Sequence, residues 1–120
     1  MYSIGIDIQD VASFREHSLT DNMSFYNRIF TGPEIDYCSS RPDPFPHFAA
    51  RFCAKEAVVK AVGSDRIFIT EIEITTGADG KPSVRFLKDG VMPENHSIDI
   101  SLSHTEAFAT AAAIVYPIEK

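Results

Sequence analysis

The feature that most constrains the fold is the segment from Phe48 to Val62. It contains no glycine or proline and consists mostly of good helix formers, and Gly63, a common helix-ending residue, follows it. We therefore predict a helix of about four turns over Phe48–Val62. The preceding segment, Arg41 to His47, holds three prolines in seven residues. We predict that it is a stiff loop without regular structure.

Most of the remaining chain alternates apolar and polar residues with the period of two that is typical of strands. The first such segment carries Ile4, Ile6 and Ile8, with Asp7 on the opposite side. A second, Ile67 to Gly77, is followed by the turn "ADGKP" and the answering strand "SVRFL", which together predict a β-hairpin. "SIDISLSH" and "FATAAAIVY", joined by the turn "HTEA", predict another hairpin. These elements indicate an α+β fold, with a mainly antiparallel sheet packed on one long helix.

Short helices are predicted between the first strand and the proline-rich segment. "DVASFREHS" and "MSFYNRIF" have apolar residues at helical spacing, and Thr31 before Pro33 and Glu34 is typical of a helix start. Lys88 to His96 has no clear period and is predicted to be an irregular connection. Since no repeat or linker is visible, we expect one domain over residues 1–120.

The charge balance argues against nucleic acid as the default partner. Lysine plus arginine total 11 against 17 acidic residues, a net charge of -6. The longest weakly polar run, "FATAAAIVY", is far shorter than the roughly 20 residues that span a bilayer, and the first ten residues lack the features of a secretion signal. Cys38 and Cys53 form no CxxC motif, so we expect free thiols and a cytoplasmic protein without a membrane segment.

The charged residues of the long helix admit two interpretations. Glu56 and Lys60 are four residues apart and could form an exposed ion pair worth about 0.2 to 0.5 kcal/mol. Alternatively, Glu56 could lie in a groove and bind a divalent cation, with Asp7 as a second carboxylate. Asp7 could equally cap the helix after its strand. Ser103 and His104, at the end of a predicted strand, are equally ambiguous from their local sequence.

Five motifs, taken in order, resemble the holo-acyl-carrier-protein synthases, the small type of 4′-phosphopantetheinyl transferase. They are "IGIDI", "IFTGPEIDYC", "ARFCAKEAVVKAVG", "GKP" and "SLSHT", and they extend over nearly the whole chain. The resemblance implies the fold of that family and a reaction in which the phosphopantetheine arm of coenzyme A is transferred to a serine of an apo acyl carrier protein. Adenosine 3′,5′-bisphosphate would be released.

The resemblance also implies roles for individual residues. Asp7 and Glu56 would hold Mg²⁺ against the coenzyme A pyrophosphate, and Lys60 would balance charge on the same phosphates. Glu56, acting through a water held at the metal, is our first candidate for the general base, and Lys60 is the second. Coenzyme A would also be contacted by Arg51, Ser103, His104 and Thr105. For Arg51 the alternative is an ordinary solvated helix residue.

The resemblance also implies a homotrimer whose active sites lie between subunits, and we expect this assembly here. The match weakens in the first helix, where the family usually presents basic residues to an acidic carrier. Here Arg15 stands alone among Asp10, Glu16 and Asp21. This departure keeps open a second hypothesis, a catalytically silent coenzyme A-binding or nucleotide-binding protein of the same fold. A purely structural assembly subunit is a third.

Overall fold

The computed structural model describes residues 1–119, which form five β-strands, four α-helices and one short 3₁₀ helix at Ile69–Glu71. The strands are β1 (Ser3–Asp10), β2 (Ile72–Thr76), β3 (Pro82–Phe86), β4 (His96–His104) and β5 (Phe108–Pro117). The helices are α1 (Ala12–Arg15), α2 (Met23–Asn27), α3 (Gly32–Ser39) and α4 (Pro44–Val62).

The strands form two antiparallel sheets. One has the strand order β1-β5-β4, and the other is the β2–β3 hairpin. Helix α4 packs across the larger sheet, chiefly on β1 and β5, and also contacts β4 and β2. The predicted α+β fold and both predicted hairpins are confirmed. The strand predicted from Ile67 begins only at Ile72, because the 3₁₀ helix occupies Ile69–Glu71.

The prediction of an irregular loop at Arg41–His47 is partly wrong. Helix α4 begins at Pro44, so Pro44 and Pro46 lie in its first turn. The first four backbone N–H groups of a helix have no partner within it, so proline loses no hydrogen bond there, and its fixed φ suits the helical conformation. Gly63 ends the helix as predicted, with a φ of 123°.

The apolar face of β1 does not point into the core. Ile4, Ile6 and Ile8 are 68%, 64% and 68% exposed, whereas Gly5 is buried and Asp7 lies on the same inner side. A Cβ on Gly5 would overlap the backbone oxygen of Ala57 and would lie 2.8 Å from the backbone nitrogen of Ala61. The inner side of β1 therefore lies too close to α4 for large side chains, and the isoleucines occupy the outer side.

Helix α4 is buried on most of its circumference. Its alanines and Cys53 lie in the core, and Arg51 and Lys55 are buried as well, at 7% and 0% exposure. Helix α3 begins with the predicted Thr31–Glu34 capping box. Across residues 1–119, none of the helices combines the length and the apolar character needed to cross a bilayer.

Candidate active site

Asp7 of β1 meets Lys60 of α4 at the contact between strand and helix. The Lys60 Nζ lies 3.4 Å from Asp7 Oδ1 and donates a hydrogen bond of 3.0 Å to the backbone oxygen of Ile6. The lysine side chain is 54% exposed and the aspartate side chain 19%. Glu56, one turn before Lys60, completes what we call the carboxylate cluster: Asp7, Glu56 and Lys60.

The electrostatics of the carboxylate cluster favour binding of a cation. Partial burial raises the pKa of the Glu56 carboxyl, the negative charge of Asp7 raises it further, and Lys60 opposes both effects. Two carboxylates that repel each other gain when a cation is bound between them. Beneath them, burial foremost and Asp7 next raise the pKa of the Cys53 thiol to about 12, so this cysteine stays a thiol at neutral pH.

The close approach at Gly5 brings the cluster together. Because Gly5 lies against Ala57 and Ala61, β1 runs close alongside α4, and Asp7, two residues further on the same strand face, reaches the helix surface that carries Glu56 and Lys60. Small residues in both elements are therefore a condition for the site.

The structure resolves two alternatives that the sequence left open. Asp7 does not cap helix α1; the neighbouring Asp10 accepts hydrogen bonds from the backbone nitrogen and the hydroxyl of Ser13 in that region. Within residues 1–119, Lys60 forms its ion pair with Asp7 and not with Glu56. An ordinary i to i+4 surface pair is therefore not what these residues form.

The donor set of the cluster fits Mg²⁺. No group of three or more His, Cys, Asp or Glu side chains among the described residues is arranged to hold a metal. Mg²⁺ is commonly held by only one or two carboxylates, with substrate phosphates and water completing its octahedron. Asp7 and Glu56 supply two hard oxygen ligands that are incompletely neutralised by Lys60, which suits such a shared site.

A separate cavity of about 360 Å³ lies between α3, the start of α4, the β2–β3 hairpin and β4. It concentrates basic groups in an acidic chain: His47, Arg51, Lys81 and His104 line it together with Tyr37. Burial foremost, then the charges of His104, Arg51 and Arg41, lower the pKa of His47. The cavity therefore suits an anion with an aromatic or apolar part.

Arg51 is fixed in the wall of this cavity. Its Nη2 donates to the Thr76 hydroxyl at 3.1 Å, and its Cζ lies 4.3 Å from the centroid of the Tyr37 ring. The guanidinium of Arg41 lies over the same ring, also at 4.3 Å. Arg51 is therefore a buried, oriented group, and its interpretation as an ordinary solvated helix residue is wrong.

The residues predicted near the end of β4 are separated by the sheet. His104 faces the cavity, its ring 5.0 Å from that of His47. Ser103 is exposed and alternates to the other face of β4. The Thr105 hydroxyl accepts hydrogen bonds from the backbone nitrogens of Ala107 and Phe108, so it shapes the β4–β5 turn.

Sequence reasoning assigned no role to three residues of the cavity: Tyr37, His47 and Lys81. Lys81 belongs to the "GKP" motif, which was a usable signal. His47 received no role because the segment that contains it was predicted to be an irregular loop. Tyr37 lies in the "IFTGPEIDYC" motif, but only the packing of α3 against α4 brings it to Arg51.

The cavity and the carboxylate cluster lie on different sides of α4. Arg51 and Lys60 are nine residues apart, which is half a turn around the helix and about 13 Å along it. Within the described part of the chain, the lining of the cavity does not include Asp7, Glu56 or Lys60. The described chain thus presents two separate candidate sites.

The α+β architecture of this chain is shared with a known class of transferases. A family model, described as the 4′-phosphopantetheinyl transferase superfamily, matches residues 3–113. The chain belongs to this superfamily.

Curated relatives narrow the class further. The chain is 37% identical over 113 residues to the holo-acyl-carrier-protein synthase of Chlorobium luteolum, covering 92% of this chain and 95% of the relative. It is 38% identical over 120 residues to the enzyme of the same name from Chloroherpeton thalassium, covering 95% and 97%.

Solved structures agree. The holo-acyl-carrier-protein synthase of Helicobacter pylori, in complex with coenzyme A, superposes with a TM-score of 0.80 at 28% identity, covering 94% of this chain and 99% of that chain. The Bacillus anthracis synthase gives a TM-score of 0.74 at 28% identity, with 94% of both chains covered. The predicted resemblance is confirmed.

Proposed function

We propose that this protein is a holo-acyl-carrier-protein synthase. It transfers the 4′-phosphopantetheine group of coenzyme A to a serine hydroxyl of an apo acyl carrier protein and releases adenosine 3′,5′-bisphosphate. The observation that carries the proposal is the carboxylate cluster, two acids and a lysine from distant parts of the chain, in a member of this superfamily. The acting unit is a single domain over residues 1–120.

In this mechanism Asp7 and Glu56 would hold Mg²⁺, and Lys60 would bind the pyrophosphate. The metal would supply positive charge to offset the negative charge of the phosphates. Lys60, already 54% exposed and held at its Nζ by the backbone oxygen of Ile6, extends its ammonium group to the same phosphates. The serine oxygen attacks the β-phosphorus, and the bond to the leaving adenosine bisphosphate breaks.

The proton of the serine goes to Glu56. The raised pKa of Glu56 makes it a stronger base than an ordinary glutamate. Lys60 is the second candidate, and as a base it must first lose its own proton. Most of the acceleration comes from positioning and charge neutralisation.

The nucleotide end of coenzyme A occupies the basic cavity. Arg51 and His104 contact its phosphates and adenine. Ser103, on the other face of β4, and Thr105, in the β4–β5 turn, do not line this cavity, and their contact with coenzyme A stays a prediction. The support for this placement is the concentration of cationic side chains in a chain of net charge -6, which makes this cavity a local exception to an anion-repelling surface.

We further propose a homotrimer in which the cluster of one subunit faces the cavity of its neighbour. Two observations support shared sites. The carboxylate cluster and the cavity lie on opposite sides of α4, and β1 leaves Ile4, Ile6 and Ile8 exposed beside Phe108 and Ile114 of β5. An exposed apolar face of this kind is typical of a subunit interface.

The carrier meets an unusual first helix. Arg15 forms a two-pronged ion pair with Asp43, with distances of 3.0 and 2.7 Å. Its charge is therefore compensated before any carrier arrives, and we expect the docking to depend little on electrostatic steering.

We expect a cytoplasmic location, because Cys38 and Cys53 are both buried as free thiols.

The decisive experiment incubates the protein with coenzyme A, Mg²⁺ and a panel of apo carrier proteins and measures the carrier mass. Gain of one phosphopantetheine supports the enzyme. Mg²⁺-dependent coenzyme A binding without modification supports the silent binding protein instead. If the protein neither modifies a carrier nor binds coenzyme A, both hypotheses are wrong.

Oligomeric state is tested separately by sedimentation of Ile6→Glu, which places a charge in the isoleucine face. We expect a monomer with little transferase activity. Phe68→Glu, at a residue that is 71% exposed outside the large sheet, is the matched control and should keep the assembly. A monomeric unaltered protein at assay concentration would contradict the shared site.

A further inference from the structure

A fully buried ion pair joins α3 to α4, and neither of its members belongs to the site described above. Lys55 Nζ lies 2.7 Å from Glu34 Oε1, and both side chains are 0% exposed. Burial lowers the pKa of Lys55, and the charge of Glu34 opposes that effect. Such a pair persists only where the remaining hydrogen-bonding capacity is also satisfied.

The hydrogen bonds of this pair tie together four segments. Lys55 Nζ donates to the backbone oxygen of Ile29 at 2.7 Å. Glu34 accepts from the backbone nitrogen of Thr31 at 2.8 Å and, through its other oxygen, from the backbone nitrogen of Ile74 at 2.7 Å. The connection after α2, helix α3, helix α4 and strand β2 therefore converge on one point, which we call the buried knot.

Each of three elements that enter the knot also contributes to the setting of Arg51. On α3, Tyr37 lies three residues after Glu34 and stacks on the guanidinium. On β2, Thr76 lies two residues after Ile74, on the same strand face, and accepts from Nη2. On α4, Arg51 itself lies one turn before Lys55. The knot thus fixes the relative positions of the three elements at the level of the cavity.

We propose that Glu34 and Lys55 are positioning residues for the nucleotide cavity, acting through Arg51. This inference rests on the proposed function and concerns affinity for coenzyme A rather than the chemical step. Glu56 follows Lys55 on α4, but the carboxylate cluster forms on another side of that helix, where the Gly5 contact brings β1 to Ala57 and Ala61. Disturbing the knot should therefore raise KM for coenzyme A and leave kcat nearly unchanged.

The test uses the double variant Glu34→Gln/Lys55→Met, which leaves no unpaired buried charge. Binding of adenosine 3′,5′-bisphosphate, measured by calorimetry, should weaken roughly tenfold, in the range seen when supporting contacts of a site are removed. KM for coenzyme A should rise by a similar factor, and kcat should stay within about threefold. Val115→Ala, a core truncation in β5, is the control for destabilisation alone and should leave both constants unchanged.

Glu34→Asp keeps the charge pair and provides a milder variant should the double variant not fold. Its effect on binding should shrink in a Thr76→Val background, where Arg51 has already lost its acceptor, because both changes act on one group. Independent addition of the two effects would show that the knot does not act through Arg51.

The outcomes separate this inference from the proposed function. If the unaltered protein binds adenosine 3′,5′-bisphosphate and the folded Glu34 variants bind it equally well, the positioning role is wrong and the proposed function stands. If the unaltered protein does not bind it, both are overturned.

Discussion

Two acid–lysine pairs involve helix α4, through lysines that are five residues apart, Lys55 and Lys60. The pairs differ in length, in solvent exposure and in hydrogen bonding. The Glu34–Lys55 pair is 2.7 Å long, has no solvent exposure, and uses both carboxylate oxygens. The Asp7–Lys60 pair is 3.4 Å long, and its lysine is 54% exposed. Both link α4 to an element far away in the sequence.

We propose that this difference separates a structural pair from a functional one. Where every hydrogen-bonding position is filled by protein, the pair holds the surrounding elements and offers nothing to a ligand. Where a carboxylate lies next to another carboxylate and the lysine ammonium is exposed to solvent, as at Asp7 and Lys60, both groups can still bind a ligand. Each pair joins one carboxylate to one lysine of α4, so charge alone does not distinguish them, whereas the completeness of their contacts does.

Methionine substitution of each lysine gives the largest expected contrast. Lys55→Met strands the buried Glu34 carboxylate and should cost about 3 to 5 kcal/mol of unfolding free energy. Lys60→Met removes a largely exposed partner and should change stability by less than about 0.5 kcal/mol while transferase activity is lost. Urea denaturation followed by circular dichroism measures both. Equal midpoints would contradict the distinction drawn between the pairs.

Glu56→Gln sharpens the functional half of the comparison. Transfer should fall about 10²- to 10⁴-fold, because the general base and a metal ligand are lost together. In the unaltered enzyme, activity should fall as pH decreases through the raised pKa of Glu56, since the protonated carboxyl is neither base nor ligand. Glu94→Gln, at an exposed position, is the control and should keep full activity.

The stability of Glu56→Gln should move in the opposite sense. The folded pKa of Glu56 lies above its unfolded value, so its ionised form opposes folding at neutral pH. The variant should be at least as stable as the unaltered protein at pH 7, and any gain should vanish as pH falls and Glu56 becomes protonated. A loss of stability at pH 7 would show that Glu56 has a structural role.

Gly5→Ala tests how the exposed pair is assembled. The added methyl overlaps the Ala57 backbone oxygen, so β1 must move from α4 at a cost of about 1 to 3 kcal/mol, and Asp7 moves with it. We expect reduced stability together with reduced kcat. Gly32→Ala adds the same methyl where no atom lies within 4 Å and should be nearly neutral. Normal turnover by Gly5→Ala would show that Asp7 tolerates the displacement.

The smallest effect is expected at the surface pair Arg15–Asp43. The hydrogen bond from Arg15 lowers the pKa of Asp43, which therefore stays charged and compensates the arginine. Asp43→Asn frees Arg15 and should lower KM for an acidic carrier by about two- to fivefold. The control is Asp36→Asn, which removes the same charge at an exposed position of α3 without freeing Arg15. Similar KM values for both variants would attribute the effect to net charge alone.

Local patterns predicted much of the fold. Alternation identified the strands and both hairpins, and Gly63 marked the end of α4. The resemblance carried by the five motifs singled out Asp7, Glu56 and Lys60, which the fold brings together. These signals work because strand period, helix period and turn chemistry depend on neighbours in the sequence.

The errors share another cause. The alternation in β1 did not tell which face is buried, and Gly5 turns the side opposite the isoleucines toward α4. The "AKEA" motif places Lys55 beside Glu56, but nothing in it tells which side chain is sealed from water. Pro44 and Pro46 suggested a loop, although a first helical turn accepts them.

The sequence by itself determined which elements form, where α4 ends, and which family motifs are present. Only the tertiary structure decided that Lys55 is buried with Glu34 while Lys60 remains at the surface with Asp7, and that Arg51 faces a different side of α4. Periodicity is a local property of the chain. Burial and pairing depend on contacts between residues tens of positions apart, which no local pattern encodes.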